Sequence, residues 1–423
     1  MAKKGAHRTI YVFAHWAGLD DPTLMGLLHS TLLRGKEIFS FEYDNSWLKS
    51  RVAQTLDPDL GLFSGIQYLN DEKPNFGLFL DSSPDRWGRT LMDRREAVIA
   101  RSESRPPKNL FETDYLLGVY DGHRMGAIRF KDSIDGSFLN SNTYMATPPW
   151  TSIRELEHAS LKLEESTEND TENLKWLNLL LTPGSSLGGA RPKASVLDEN
   201  GELWIAKFPS LRDDRDIGGW EKVAHDLARG AGIKVPQSET GKFYSKKHTF
   251  ITKRFDRTSR GARIHFASAM TLLGYTDGTN HSSGVSYLDL AEFIMQNGAN
   301  PDADLQELWT RIVFSISISN TDDHLRNHGF LLTEKGWTLS PAYDMNPVST
   351  GTGLSLNIST KDNALSIALA LEVASYFRVS DKKAKEIIMT VQSVVSQWES
   401  IAEKIGIPKW ERSAMARAFN NKI

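Results

Sequence analysis

The chain has no cysteine in its 423 residues, which excludes disulfides, thiolate metal sites and a cysteine nucleophile together. It also lacks an excess of either charge: 50 Lys and Arg stand against 53 Asp and Glu, a formal net charge of -3. A DNA-binding chain usually shows a basic excess, so no direct contact with nucleic acid is expected. Long apolar runs are missing too. The longest fall far short of the roughly 20 residues a membrane-spanning helix needs. The basic opening Met1-Ala2-Lys3-Lys4-Gly5 has no apolar signal core behind it. These absences point to a cytoplasmic protein without a membrane partner. What remains is ordinary globular composition, 40% hydrophobic and 24% charged. The length exceeds what one core supports, so two or three domains are expected.

The pattern along the chain is α+β. Thr9–Ala14, Glu37–Tyr43 and Gly126–Phe130 read as strands. Ser83-Pro84-Asp85-Arg86-Trp87-Gly88-Arg89 reads as a helix start, with Ser83 as N-cap and Pro84 in the first turn. From Ser133 to Trp150 the chain is rich in Ser, Asn, Thr and Pro, which places a boundary there. The expected division is 1–145, 146–255 and 256–423. In the middle segment Leu203–Phe208 and Thr249–Phe255 read as strands, and Glu221–Arg229 as a helix stopped by Gly230. Glu164–Asp170 reads as a solvated loop. The last segment is mainly helical. Leu305, Leu308, Trp309, Ile312, Val313 and Ile316 share one helical face, and Ile387, Ile388, Val391, Val394, Val395, Trp398 and Ile401 another, in a final long helix.

Chemistry concentrates in Thr321-Asp322-Asp323-His324-Leu325-Arg326-Asn327 and in Asp344 of Pro341-Ala342-Tyr343-Asp344. Between them Gly329–Ser340 reads as a hairpin of two short apolar strands around a Gly-containing turn. Asp-x4-Asn, hairpin, Asp is the layout of a kinase catalytic loop and metal-binding aspartate. Phosphoryl transfer needs a carboxylate to orient the attacking hydroxyl, which suits Asp322. It also needs hard oxygen ligands for Mg²⁺, which suits Asn327 and Asp344. His324 reads as a prop of the loop, and Asp323 as a second acid or a loop cap. His324 and His328 have poor spacing for zinc.

A second segment, Gly184-Ser185-Ser186-Leu187-Gly188-Gly189-Ala190-Arg191-Pro192-Lys193, lets backbone N–H groups approach phosphate oxygens where Cβ atoms are absent. Taken alone it reads as a tight turn between two elements, and its position ahead of Lys207 changes that. Lys207 follows on a strand among residues suited to burial, where an ammonium needs an anion. In a kinase those anions are the nucleotide phosphates and a helix glutamate, and Glu221 is the candidate. The strand end Lys253-Arg254-Phe255-Asp256-Arg257 stands where an inter-lobe hinge would run. Arg254, Asp256 and Arg257 read equally well as surface ion pairs.

In order and spacing these segments resemble the HipA family of bacterial serine/threonine kinases, the toxins of toxin–antitoxin pairs. The likeness rests on Ser186–Lys193, Ile205–Pro209, Arg254–Arg257, Thr321–Asn327 and Pro341–Asp344, and more loosely on Pro84–Arg89 and Asp121–Ala127. The resemblance implies a two-lobed kinase-like fold, with a β-rich N-terminal subdomain, a mainly helical C-terminal lobe and ATP between lobes. Asp322 would be the catalytic base, and Asn327 and Asp344 the Mg²⁺ ligands. Gly188, Gly189, Ala190, Arg191, Lys193, Lys207 and His324 would bind ATP, with the backbone around Lys253 and Phe255 holding adenine. Ser186 matches the family's autophosphorylated loop serine, with Ser185 a second candidate; a phosphate there would repel nucleotide. The family's substrates include aminoacyl-tRNA synthetases, and its partners a small DNA-binding antitoxin. Asp323 occupies a position that varies in the family, and Lys253 one where an acid can stand. Two rival readings are a small-molecule kinase and a non-catalytic nucleotide-binding corepressor of an antitoxin–DNA complex.

Overall fold

The computed structural model describes every residue except 1–6, 71, 142–147, 166–176, 178–179, 181–188, 190 and 420–423. Helix and sheet are mixed, and the chain forms two compact units. One comprises Met1–Ala206 with Asp256–Ala267, the other Lys207–Phe255 with Ser268–Ile423. They therefore part elsewhere than at the expected boundary near Ser133–Trp150, and each unit takes a segment from the other side of the cut. No helix among the described residues is long and apolar enough to cross a membrane.

The first unit is built on an antiparallel sheet of β1 (His7–Ala14), β2 (Thr23–Leu33), β3 (Lys36–Tyr43), β4 (Ile66–Tyr68) and β5 (Ile128–Lys131), in the order β4-β3-β2-β1-β5. Arg34 and Gly35 both have positive φ, 51° and 84°, the conformation a two-residue turn between twisted strands requires. The turn sets the register Leu28↔Phe41, while Ile10 faces Leu28 across β1. All three are fully buried, so one face of the sheet is core. Phe79 packs on Phe41 and Phe130, with ring centroids 5.7 and 5.9 Å away.

The expected helix start shifts by two residues. The helix spans Arg86–Ser102 and Asp85 is its N-cap, accepting from the Gly88 amide at 2.8 Å, while the Ser83 hydroxyl donates to the Phe79 carbonyl. A carboxylate is the better partner for the positive end of a helix. The expected loop at Glu164 also changes. Glu164 and Glu165 close the helix Ile153–Glu165, and 166–170 lie outside the described residues.

Buried charge stiffens this unit. Arg124 is completely enclosed and donates to the carbonyls of Ser82, Leu116, Val119 and Leu139. Burial pushes its pKa down to about 10. Asp256 and Arg257 are not surface ions: Asp256 is fully buried, accepts from the Gly126 amide at 2.9 Å and pairs with Arg257 at 2.5 Å. The strands β6 (Lys193–Leu197) and β7 (Leu203–Lys207) complete the unit, and the last residue of β7 opens the next.

The second unit joins a hairpin, β8 (Ser238–Gly241) with β9 (Thr249–Lys253), to a set of helices. The helix expected from Glu221 begins earlier and spans Ile217–Gly230. Asp216 caps it through the Gly219 amide, and the His248 amide and ring also bond Asp216, at 2.8 and 2.5 Å. Gly218 is obligatory at this junction, because a Cβ there would sit 2.1 Å from the His248 carbonyl oxygen. The expected face of the Pro301–Ile318 helix is buried throughout, and so are Arg311 and Phe314 beyond it. The final long helix is instead two, Asp381–Val395 and Trp398–Ile405. The break turns Trp398 onto Phe419, stacked at 4.5 Å, and towards Trp220 at 6.1 Å. Aromatic packing outweighs helix continuation there.

His225 lies on the inner face of the Ile217–Gly230 helix, 4% exposed, with Nδ1 3.0 Å from the Ser238 hydroxyl. Burial pushes its pKa from 6.5 down to about 4. Between those values the unfolded chain binds a proton that the fold refuses, so stability falls as pH falls. The slope is at most about 1.4 kcal/mol per pH unit. Denaturation midpoints followed from neutral pH to pH 4 are expected to drop for the parent and less steeply for His225→Gln.

Candidate functional site

The site of the second unit begins at the end of β7. The Lys207 ammonium lies 2.5 Å from Glu221 Oε1 and 2.8 Å from Asp344 Oδ1, so one cation bridges two carboxylates. Burial opposes the ammonium, but Asp344 and Glu221 outweigh it and its pKa stands above the ordinary lysine value. Glu221 is 4% exposed on the Ile217–Gly230 helix, and this pairing is the one its spacing suggested.

Asp344 is held by its neighbours rather than by a regular element. The hairpin Gly329–Thr333 and Gly336–Leu339 pairs Phe330 with Leu339 and delivers the chain to Ser340. Asp304, in the first turn of the Pro301–Ile318 helix, accepts from the Leu339 amide and the Thr338 hydroxyl, both at 3.0 Å. Arg311, paired with Glu307, donates to the Ser340 carbonyl at 2.7 Å. The Ala342 amide donates to Lys234 O and the Tyr343 hydroxyl to Arg326 O, each at 2.7 Å. So constrained, Asp344 takes φ 59°. That left-handed backbone costs a non-glycine residue of order 1–3 kcal/mol and persists only where the surroundings over-determine it.

The Thr321–Asn327 loop follows the αL end of the Pro301–Ile318 helix at Ser319, φ 52°. The Asn327 side-chain amide donates to the Asp322 carbonyl at 2.9 Å, and the His324 amide to the same oxygen at 3.1 Å. Asp322 itself is exposed. Desolvation, Asp344 and Asp323 raise its pKa while His324 and Arg326 oppose them. Asp322 and Asp344 thus lie close enough to repel. Asn327 Oδ1 is buried and, among the described residues, has no hydrogen-bond partner. An orphaned hard oxygen in the Asp322 loop is of the donor type that Mg²⁺ takes, as are the Asp322 and Asp344 carboxylates.

Asp323 is the residue that spacing left undecided between second acid and loop cap. It is 4% exposed, accepts from the Tyr287 hydroxyl at 2.6 Å and pairs with His328 Nε2 at 3.1 Å. Those partners hold its carboxyl below the usual range despite burial. It anchors the loop from beneath. Tyr287 was not legible as a partner, since it lies 36 residues earlier on the Tyr287–Asn297 helix.

The other expected residues divide. Ser185, Ser186, Gly188 and Ala190 lie outside the described residues. Gly189 has φ 102° and Arg191 is half-buried. Lys193, expected to face nucleotide, instead pairs its ammonium with Asp85 at 2.5 Å, both side chains 4% exposed, within the first unit. The Lys253 amide donates to Gln237 O, and the Phe255 ring lies 5.6 Å from Tyr343. His324 stands at the N-cap position of the turn Leu325–Asn327, where its carbonyl accepts from the Asn327 amide and its side chain makes no capping hydrogen bond.

A likeness to known proteins follows the same residues. The HipA-like C-terminal domain matches residues 185–398, half of the chain. A protein of Haemophilus influenzae named as a kinase is 28% identical over 184 residues, covering 39% of this chain and 53% of that one. The serine/threonine-protein kinase toxin HipA of Shewanella oneidensis is 24% identical over 263 residues, covering 55% of this chain and 59% of that one. The chain thus spans little more than half the length of these relatives. A Shewanella oneidensis structure, of the toxin–antitoxin system HipA, HipB and operator DNA, superposes with TM-score 0.62 at 18% identity. It covers 97% of this chain and 94% of that one, so the fold is shared. On the family match and the shared fold together, the chain belongs to the HipA-like family.

Proposed function

We propose that this chain is an ATP- and Mg²⁺-dependent serine/threonine protein kinase of the toxin type. The observation that carries the reading is the Lys207 ammonium between Glu221 and Asp344, beside the Asp322 loop. Relatives named as kinases support it.

In this mechanism Glu221 keeps Lys207 extended, so that its ammonium exchanges Asp344 for nucleotide phosphate oxygens. Asp344 and Asn327 Oδ1 would be the oxygens that hold Mg²⁺, which would neutralise charge on the phosphates. Asp322 accepts the proton of a serine or threonine hydroxyl as that oxygen bonds the γ-phosphorus. The bond from γ-phosphorus to the bridging oxygen breaks, and ADP leaves. The raised pKa of Asp322 makes it the stronger base. Asp323, Tyr287 and His328 hold the loop. The adenine falls to the backbone at Lys253 and Phe255, and the phosphates also to Gly188, Gly189, Ala190 and Arg191. Lys193 serves better as a fixed post, since Asp85 holds its charge.

The substrate is a cellular protein, with aminoacyl-tRNA synthetases the first class to examine. A small DNA-binding antitoxin is the proposed partner, on the strength of the fold shared with a HipA solved with HipB. Phosphorylation of Ser186 or Ser185 would put a dianion among the backbone groups that bind nucleotide phosphate, and so shut the enzyme off.

Asp322→Ala is expected to lower phosphoryl transfer from labelled ATP to protein by about 10²–10⁴-fold. Label appearing only on small molecules with the parent chain would remove the protein-kinase reading. Glu221→Gln should keep the fold and lose about tenfold or more in kcat, since Lys207 loses one of its two fixed partners. Mass spectrometry after incubation in ATP should find phosphate on Ser186 or Ser185, and Ser186→Ala should stay active longer. A loop with no phosphate would discard self-inhibition.

A further inference from the structure

The first unit holds a cavity of about 570 Å³ that shares no residue with the kinase site. Arg129, Arg260, Arg263, His15, Trp16 and Thr258 are among its walls, and no acidic residue lines it. Its volume suits a small molecule.

Two of the arginines are fixed in place. Arg129 forks onto Asp121, Nη2 at 2.6 Å from Oδ2, and lies over the Phe138 ring at 3.5 Å. Arg263 donates to the Asp121 backbone carbonyl at 2.5 Å and to its Oδ2 at 3.2 Å. One carboxylate therefore serves two guanidinium groups. Asp121 stays ionised despite burial, its pKa lowered by Arg263 and Arg129. Asp256, the next acid near Arg263, is taken up by Arg257.

Arg260 stands at the tip of a turn closed by Thr258 N–H to Ala262 O, 2.8 Å, and Gly261 N–H to Thr258 O, 2.9 Å. Among the described residues it makes no ion pair. Three guanidinium groups outnumber the Asp121 carboxylate and the Asp21 carboxylate that acts on His15, so the cavity keeps a net positive charge that a phosphate monoester would complement. Arg129 Nη1 lies 3.1 Å from His15 Nδ1. Since guanidinium can only donate, Nδ1 accepts and the ring proton sits on Nε2, one more donor on the wall. Trp16 and Leu19 add apolar surface that a bare ion would not use.

We infer that this cavity binds a small phosphate monoester through Arg129, Arg260 and Arg263. The site is separate from the proposed phosphoryl-transfer centre and stands whether or not that proposal does.

Calorimetric titration of the full chain with phenyl phosphate and with inorganic phosphate tests it. Phenyl phosphate should bind saturably and more tightly than inorganic phosphate. Arg260→Gln should weaken it roughly tenfold, the loss of one charge-assisted hydrogen bond. Arg260 is exposed and pairs with nothing in the core, so the variant keeps its fold. Asp322→Ala, altered in the other unit, should bind phenyl phosphate like the parent. No saturable binding, equal affinity in Arg260→Gln, or loss confined to Asp322→Ala would each overturn the assignment.

Discussion

Everything distinctive about the second unit depends on one buried ammonium. Lys207 is the cation that Glu221 and Asp344 share. Removing a single partner from such a bridge leaves a buried charge unpaired, which costs more than the bridge contributes. The arrangement is therefore poor as a stabilising device and well suited to exchange. An incoming anion can replace Asp344 at the ammonium, and an incoming cation can replace the ammonium at Asp344. Neither exchange leaves a bare ion behind. The φ of 59° at Asp344 fits this account, because strain that the fold tolerates at a loop aspartate is strain it over-determines from several sides.

Those sides are not local. Asp304, Arg311 (paired with Glu307) and the Lys234 carbonyl each bond the backbone from Leu339 to Ala342, and the Arg326 carbonyl accepts from the Tyr343 hydroxyl. Three of these residues belong to one helix, Pro301–Ile318, which is buried on almost every face. A helix enclosed in this way carries polar residues inward only where each has a partner. The same helix ends in the αL residue Ser319 and releases the chain into Asp322. One rigid element thus sets the positions of both Asp322 and Asp344, which lie apart in sequence.

The residues of this candidate site stand out in the sequence because the proposed chemistry would force their order and spacing. Asp322, Asn327, the hairpin and Asp344 follow one another within a short stretch, and Lys207 with Glu221 showed as a buried strand lysine followed by a helix acid. Legibility failed where a residue's role depends on a distant partner. Asp323 reads as a spare acid until Tyr287 and His328 are placed on it. Lys193 reads as a phosphate ligand until Asp85 occupies its ammonium. Ser83 reads as a cap, but a carboxylate two residues on takes that place. The helical period through Val395 and Trp398 conceals a break, since periodicity reports burial and not continuity. Asp256 and Arg257 look like surface charges because sequence carries no measure of enclosure.

The two units solve the same electrostatic problem in opposite ways. In the second, one cation is shared by two carboxylates; in the first, one carboxylate, Asp121, is shared by two guanidinium groups. Sharing leaves a residue of charge in each case, negative around Asp322 and Asp344 and positive around Arg129 and Arg263. In the first case, burial and then Asp344 and Asp323 raise the Asp322 pKa, and Asn327 Oδ1 has no donor among the described residues. The second lowers the pKa of His15, burial acting first and the two arginines after it. A fold that wanted only stability would have neutralised both, as it did at Asp256–Arg257 and Glu307–Arg311.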